Sequence, residues 1–278
     1  QDSSSAASDV YKRQISMGTL QPTSLLGSRE AIAMYSPGSV KFTFHWRYKS
    51  WLRYALREMY GSDDSGWLHQ AGIQAIDSVD VVEYANPGPY VPANDAVYPA
   101  DDFGAHLQAV AQMIKMNVGL SVATVDYGGW DTHEYQGDAG GGYIGTNIDN
   151  LARGVNALYT DLQAVTQSNS IPQVTTVILS EFGRSLKENG SRGTDHGHGN
   201  MMLVLGPNVN GGKIFGAWPG LHLEQLYDAR DLAITTDYRR VLSEIIIRRF
   251  ENPNLGFVFP SYSGYEPLGI MKGSDIEP

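Results

Sequence analysis

An α/β fold with a parallel or mostly parallel sheet, covered by helices on both faces, is predicted by three observations. Short β-branched runs recur at Leu120–Val125, Val174–Leu179 and Met201–Leu205. Amphipathic helical periods separate the first two, and alternation of this kind is how crossover-connected sheets are built. The first two runs each lead straight into a segment rich in acids and glycine, and ligand-bearing loops of α/β proteins lie at strand ends of this kind.

Each element has its own signal. Lys49–Tyr60 carries Trp51, Leu52, Ala55, Leu56 and Met59 at helical spacing, within a stretch from Ile15 to about Pro99 that is otherwise mixed. Asn86–Pro99 holds four prolines and reads as an extended loop. Asp101 or Asp102 is placed to cap a helix reaching about Asn117, with Leu107, Val110, Ala111 and Ile114 on its buried face. After the glycine-rich Gly137–Gly145, a long helix is expected from Thr146 to about Gln167, with Ile148, Leu151, Val155, Leu158 and Leu162 in register. Asn210-Gly211-Gly212 signals a turn that opens a short hairpin, and a last helix spans about Tyr238–Arg249. Gln1–Gln14 is Ser/Ala-rich without an apolar core and reads as a non-native or disordered leader. The rest, 15–278, reads as a single domain.

Composition narrows the function. With 42% hydrophobic residues the chain can bury a large core, so it reads as a globular protein. A net charge of −10, with no long Lys/Arg run, argues against nucleic acid or an anionic membrane as partner. No apolar stretch reaches the roughly 20 residues of a membrane span. The absence of cysteine excludes disulfides and thiolate chemistry, so any metal must be held by His, Asp, Glu and water.

Three segments carry the legible chemistry: Gly128–His133 (GGWDTH), Ser180–Arg184 (SEFGR) and Gly193–Gly199 (GTDHGHG). Asp131 and His133 can point an oxygen and an imidazole nitrogen at one cation. Glu181 follows a strand directly, and Asp195, His196 and His198 form a second acid–imidazole group. Three imidazoles and three carboxylates suffice for one zinc-type site, or for part of a two-metal site. Arg184 is either a clamp for a tetrahedral anion or a structural ion-pair partner. His45, His69, His106 and His222 lack acidic surroundings and are assigned to surface or core. Gly137–Gly145 fits neither a P-loop nor a dinucleotide fingerprint, and no Gly-x-Ser-x-Gly elbow is present.

With these residues the chain resembles the domain-of-unknown-function 1501 family, a branch of the alkaline phosphatase and sulfatase superfamily. The matching stretches are Phe103–Ile114, Gly128–Gln136, Val177–Arg184, Asn189–Gly206, Gly211–Lys213 and Thr236–Arg239, within about Leu20–Phe250. The resemblance implies a doubly wound α/β sandwich with one or two divalent metals at the carboxyl edge of the sheet. It implies hydrolysis of small anionic phosphate or sulfate esters, and export, often by the twin-arginine route. Asp131 and His133 look like one ligand pair, and His196 or His198 like the ligand from the later segment. Phe182 stands where the superfamily has an imidazole. The family's first strand and its Gly-Gly-x-Ser-His-type segment have no match here. The resemblance therefore implies the carboxy-terminal part of a longer protein, impaired as a fragment, with its nucleophile unassigned. Ser180, Ser185, Thr132 and Thr194 are the hydroxyls in range, none with a supporting pattern. Two other readings stay open: a non-catalytic exported protein that keeps the fold and binds a glycan or partner, and a metal-dependent amidase or peptidase.

Overall fold

The computed structural model describes residues 14–20, 31–61, 66–85, 88–138, 140–166 and 173–276. It is mixed α/β and divides into two compact units. The first unit is Gln1–Gly128 with Ile148–Ile171, and the second is Gly129–Asn147 with Pro172–Pro278.

In the first unit, strands β1 (Gln14–Met17), β2 (Ala31–Met34) and β3 (Val122–Val125) form a parallel sheet in the order β2-β1-β3. Ile15 is level with Ile32 on one side and Ala123 on the other. The centre of the sheet is buried and apolar: Ile15, Met17 and Met34 pack against Ala109, Val110 and Met113. Gln14, assigned from sequence to the leader, opens β1; the rest of that leader lies outside the described residues.

Helix α3 (Asp102–Lys115) supplies those three core residues, and its predicted cap is Asp101, whose carboxylate accepts from the Gly104 N–H at 2.8 Å. A Cβ on Gly104 would lie 2.0 Å from the Pro99 carbonyl oxygen, so the chain enters the helix this tightly only with glycine there. Asn117 takes a left-handed φ of 52° just past the end, where the sequence reading had still placed helix.

Helix α1 (Lys49–Gly61) lies where its periodicity predicts, and of its expected apolar face Leu52, Ala55 and Leu56 are half-buried. Trp51 and Met59 are exposed. The side turned to α2 (Trp67–Ala85) carries Lys49, Arg53 and Arg57. Lys49 pairs with Glu83 at 2.7 Å, Arg53 with Asp80 at 2.8 Å and with Glu83, and Arg57 with Asp77 and Asp80 at 2.7 Å each. Cations every fourth residue on one helix meet acids every third residue on the other, which places both series on facing sides.

Helix α4 (Gly142–Thr166) starts four residues before its predicted start at Thr146. Asp138 and Gly141 exchange backbone hydrogen bonds and close the glycine loop early. Thr146 then donates backwards to the Gly142 carbonyl at 2.9 Å instead of capping. Leu158 and Leu162 are buried as expected, whereas Ile148 is exposed. The predicted end, Gln167, lies outside the described residues.

The proline-rich loop is tied down by a carboxylate. Asp161, fully buried on α4, accepts from the phenols of Tyr90 (2.6 Å) and Tyr98 (2.7 Å), the Ala93 N–H (2.6 Å) and the Lys115 ammonium. Burial pushes the Asp161 carboxyl up, but Lys115, Tyr90, Ala93 and Tyr98 together hold it below its ordinary value. Burial and then Asp161 drive both phenols upward.

In the second unit, β4 (Thr176–Ile178) pairs with β7 (Leu203–Leu205), and β5 (Gly183–Arg184) pairs with β6 (His196–Gly197). Both pairs are antiparallel, whereas the sequence reading expected the Val174–Leu179 and Met201–Leu205 runs to enter a mostly parallel sheet. No long helix intervenes between those two runs, so the chain returns directly alongside itself. Helix α5 (Tyr238–Phe250) packs Val241 and Ile245 on Val209, Ile270 and Met271, and α6 (Leu255–Val258) is a single short turn.

The expected hairpin at Asn210 is absent among the described residues. Val209 bridges to Met271 instead, and the Asn210 side chain donates to the carbonyls of Gly269 and Met271. The tail that takes this place is held by buried Glu244, which accepts the N–H groups of Leu268 (2.8 Å), Gly269 (3.0 Å) and Met271 (2.7 Å) and pairs with Arg248 at 2.9 Å.

Asp161→Ala should destabilise the protein by about 3–5 kcal/mol in urea unfolding, because it strands the ammonium and two phenols that converge there. The linkage has a definite sign. A carboxyl held below its unfolded value of about 3.9 stabilises fully above that value and loses the contribution as pH falls through its folded value. The gap between wild type and variant should therefore narrow below about pH 4; a gap that stays constant down to pH 2 would contradict this account.

Candidate metal centre

The site lies wholly within the second unit and is assembled from two loops and one strand pair. The loop at 129–136 opens with Gly129, at φ +88°, whose carbonyl accepts from the Asn147 side chain at 2.7 Å. The loop at 189–195 is laced to it. Tyr135 N–H donates to Ser191 O, Gln136 N–H to Arg192 O and Thr194 N–H to Thr132 O, at 2.9–3.1 Å. Gln136 Oε1 then accepts both hydroxyls, Thr132 and Thr194, at 2.7 Å each. Gly193 packs so closely that a Cβ there would lie 2.2 Å from the His133 carbonyl.

The β5–β6 pair adds the third component. Gly183 is level with Gly197, and Arg184 with His196. Directly opposed residues put their side chains on one face, so Arg184 and His196 emerge together. Close packing around them has no room for side chains: a Cβ on Gly183 would lie 2.0 Å from Gly199 O, and one on Gly197 would lie 2.4 Å from the Arg184 backbone.

Asp131 is the meeting point. Its Oδ1 lies 2.7 Å from His196 Nε2, 2.9 Å from His133 Nε2 and 3.0 Å from Arg184 Nη1. Hydrogen bonds from His196 and then Arg184 hold the Asp131 carboxyl below the usual carboxylate range. His133 also faces Asp195, with Nδ1 3.0 Å from Oδ1. That contact, followed by one from Asn189, depresses the Asp195 carboxyl as well. Phe182 lies flat on His196, the rings 4.1 Å apart and 9° from parallel. Arg184 is anchored through Nε to Thr194 Oγ1 at 3.0 Å and through Nη2 to the Thr194 carbonyl.

One carboxylate oxygen and two imidazole nitrogens, all within 4.8 Å of one another, make a group that could hold a metal ion: Asp131, His133 and His196. The donor chemistry fits a divalent ion of the borderline type. Two imidazoles and one carboxylate form a recurrent three-ligand set, and the exposed side leaves further positions for solvent or substrate.

The remaining expected residues are placed differently. Asp195 touches His133 but is not in the group of three. His198 turns away to stack on Tyr227, rings 3.7 Å apart and 7° from parallel. Glu181 is exposed and joins no ion pair among the described residues. The hydroxyls are committed internally: Ser180 donates to Phe182 O, Ser185 to His196 O, and both threonines to Gln136. Sequence reasoning missed Asn189, Gln136 and the stacking role of Phe182. All three sit in or beside the three segments, but spacing carries no mark of a loop-to-loop bond.

Residues 56–252 match a family described as a protein of unknown function (DUF1501). No curated protein and no solved structure matches the chain.

Gly193→Ala should force the two loops apart at His133. An unfolding free energy lowered by about 1–3 kcal/mol is expected, as for overpacking at a tight contact, with the His133 imidazole NMR signals displaced. Unchanged stability and an unchanged His133 environment would show that the close approach is not needed.

Proposed function

The chain belongs to the DUF1501 family, and from that premise we propose that it is a metal-dependent hydrolase of small phosphate or sulfate esters. The observation that carries the reading is the convergence of Asp131, His133 and His196 with the Arg184 guanidinium on one carboxylate oxygen. A cation site with a fixed positive fork beside it suits an anionic ester better than a neutral substrate.

On this reading Asp131, His133 and His196 hold the ion. When bound, it supplies Lewis-acid charge to the oxygens of the ester. Arg184 orients the anion: a guanidinium has five N–H donors, and three are spent on Thr194 and Asp131, so those left over are available to substrate oxygens. The Thr194–Gln136–Thr132 links keep that fork from swinging. The four nearby hydroxyls are already donating, so the reading assigns none of them as nucleophile. The finer fold assignment, a doubly wound sandwich of the alkaline phosphatase type, and export from the cytoplasm belong to the same proposal. The parallel order β2-β1-β3 supports the first; the family resemblance supports both.

One observation favours a second reading. Phe182 covers a face of His196 where the superfamily resemblance implies another imidazole, so a single ion in a non-catalytic binding protein is the competing assignment.

The purified protein should bind one equivalent of Zn²⁺ or Mn²⁺ and hydrolyse p-nitrophenyl phosphate or p-nitrophenyl sulfate in a metal-dependent way. Asp131→Asn and His196→Ala should each lower kcat/KM by roughly 100-fold or more, the scale of losing an electrostatic group at a reacting centre. Arg184→Ala should act mainly through KM, while His198→Ala should leave metal stoichiometry unchanged. Tight metal binding without turnover of either ester would select the binding-protein reading, and turnover of amides alone would select an amidase. Absence of metal binding would remove the site reading altogether.

A further inference from the structure

We propose that Asp195 is a positioning residue that acts through His133 and is not a ligand of the ion. The assignment rests on the metal-centre reading above and deepens it. The two imidazoles of the group are held in different ways. His196 is fixed by the flat stack of Phe182, and among the described residues no carboxylate meets its other ring nitrogen. His133 instead presents Nε2 to the group and Nδ1 to Asp195, 3.0 Å away. An N–H on Nδ1 that donates to a carboxylate leaves the lone pair on Nε2 directed at the cation and makes the ring a stronger donor.

Asp195 is itself held for this task. Asn189 Nδ2 donates to Asp195 Oδ1 at 3.1 Å and to the His133 carbonyl at 2.8 Å. The Asn189 side-chain oxygen accepts the N–H groups of Ser191 (2.9 Å) and Gly193 (3.1 Å). Those two backbone donors determine which end of the amide faces the carboxylate. One loop thereby fixes a carboxylate, the carboxylate fixes an imidazole tautomer, and the imidazole offers its other nitrogen to the ion. The first residue of the Asp-His pair orients a histidine of another segment, and the second is itself in the ligand group.

The test uses the full chain, loaded with Zn²⁺ for affinity and with Co²⁺ for visible absorption. Asp195→Ala should weaken Zn²⁺ binding about 10–100-fold, as for removal of an orienting partner, while the Co²⁺ spectrum keeps the wild-type coordination number. In ¹⁵N-histidine NMR of the zinc form, His133 should lose its single Nδ1–H tautomer and His196 should not. Asp195→Asn, which retains an acceptor of the same shape, should recover part of the affinity.

Wild-type affinity in Asp195→Ala with the His133 tautomer unchanged would overturn the assignment and leave the metal centre standing. A change of Co²⁺ coordination in Asp195→Ala would also overturn it, by making Asp195 a ligand. Failure of the wild type to bind either ion would overturn the centre and this assignment together.

Discussion

Backbone closeness is the constraint on which the candidate site depends. Arg184 and His196 can stand side by side above one carboxylate because the residues preceding and following them, Gly183 and Gly197, have no side chains to hold the strands apart. Gly193 does the same for the loop that carries His133, and Gly199 packs on the carbonyls of Leu232 and Ala233. A short strand pair alone stabilises little. Here it is supported by the lacing of the 129–136 and 189–195 loops, so the geometry comes from the assembly of segments and not from any one of them.

Carboxylates serve several purposes in this protein, and the surroundings decide which. Asp161 and Glu244 are fully buried and every strong donor around them is engaged, so they staple loops to helices. Asp77, Asp80 and Glu83 line a partly exposed helix face and set the pairing of α1 with α2. Asp131 is exposed and gathers two imidazoles and a guanidinium on a single oxygen. Removing a buried, satisfied carboxylate costs stability because its partners are left buried and uncompensated. An exposed one that gathers imidazoles within 4.8 Å forms a group that could hold a metal ion.

Much of the element pattern was legible because it rests on local rules. Asp101 caps α3 as expected, the strand runs at 120–125, 174–179 and 201–205 contain β3, β4 and β7, and α5 begins at Tyr238. Errors cluster where tertiary context overrides the local signal. Trp51 and Met59 fit a helical stripe, yet the facing acids of α2 claim the other side of α1. Thr146 has the chemistry of a cap but finds a carbonyl one turn back. β1 and β2 escaped notice because each holds a single β-branched residue, Ile15 or Ile32, whereas β3 and β4 are mostly Val, Ile and Thr.

The three acid–imidazole segments were visible in the sequence alone, since residue type and short spacing are enough to mark ligand chemistry. Sequence by itself also determined the donor classes available, because a chain without cysteine can offer a metal only oxygen and nitrogen. Only the tertiary structure decided which residues meet. His196 and His198 are equivalent in sequence terms, two residues apart with glycine between them. In the fold one meets Asp131 and the other stacks on Tyr227. The physical reason is that ligand geometry depends on distances between segments dozens of residues apart, which the glycine contacts and the loop lacing set and no local spacing encodes.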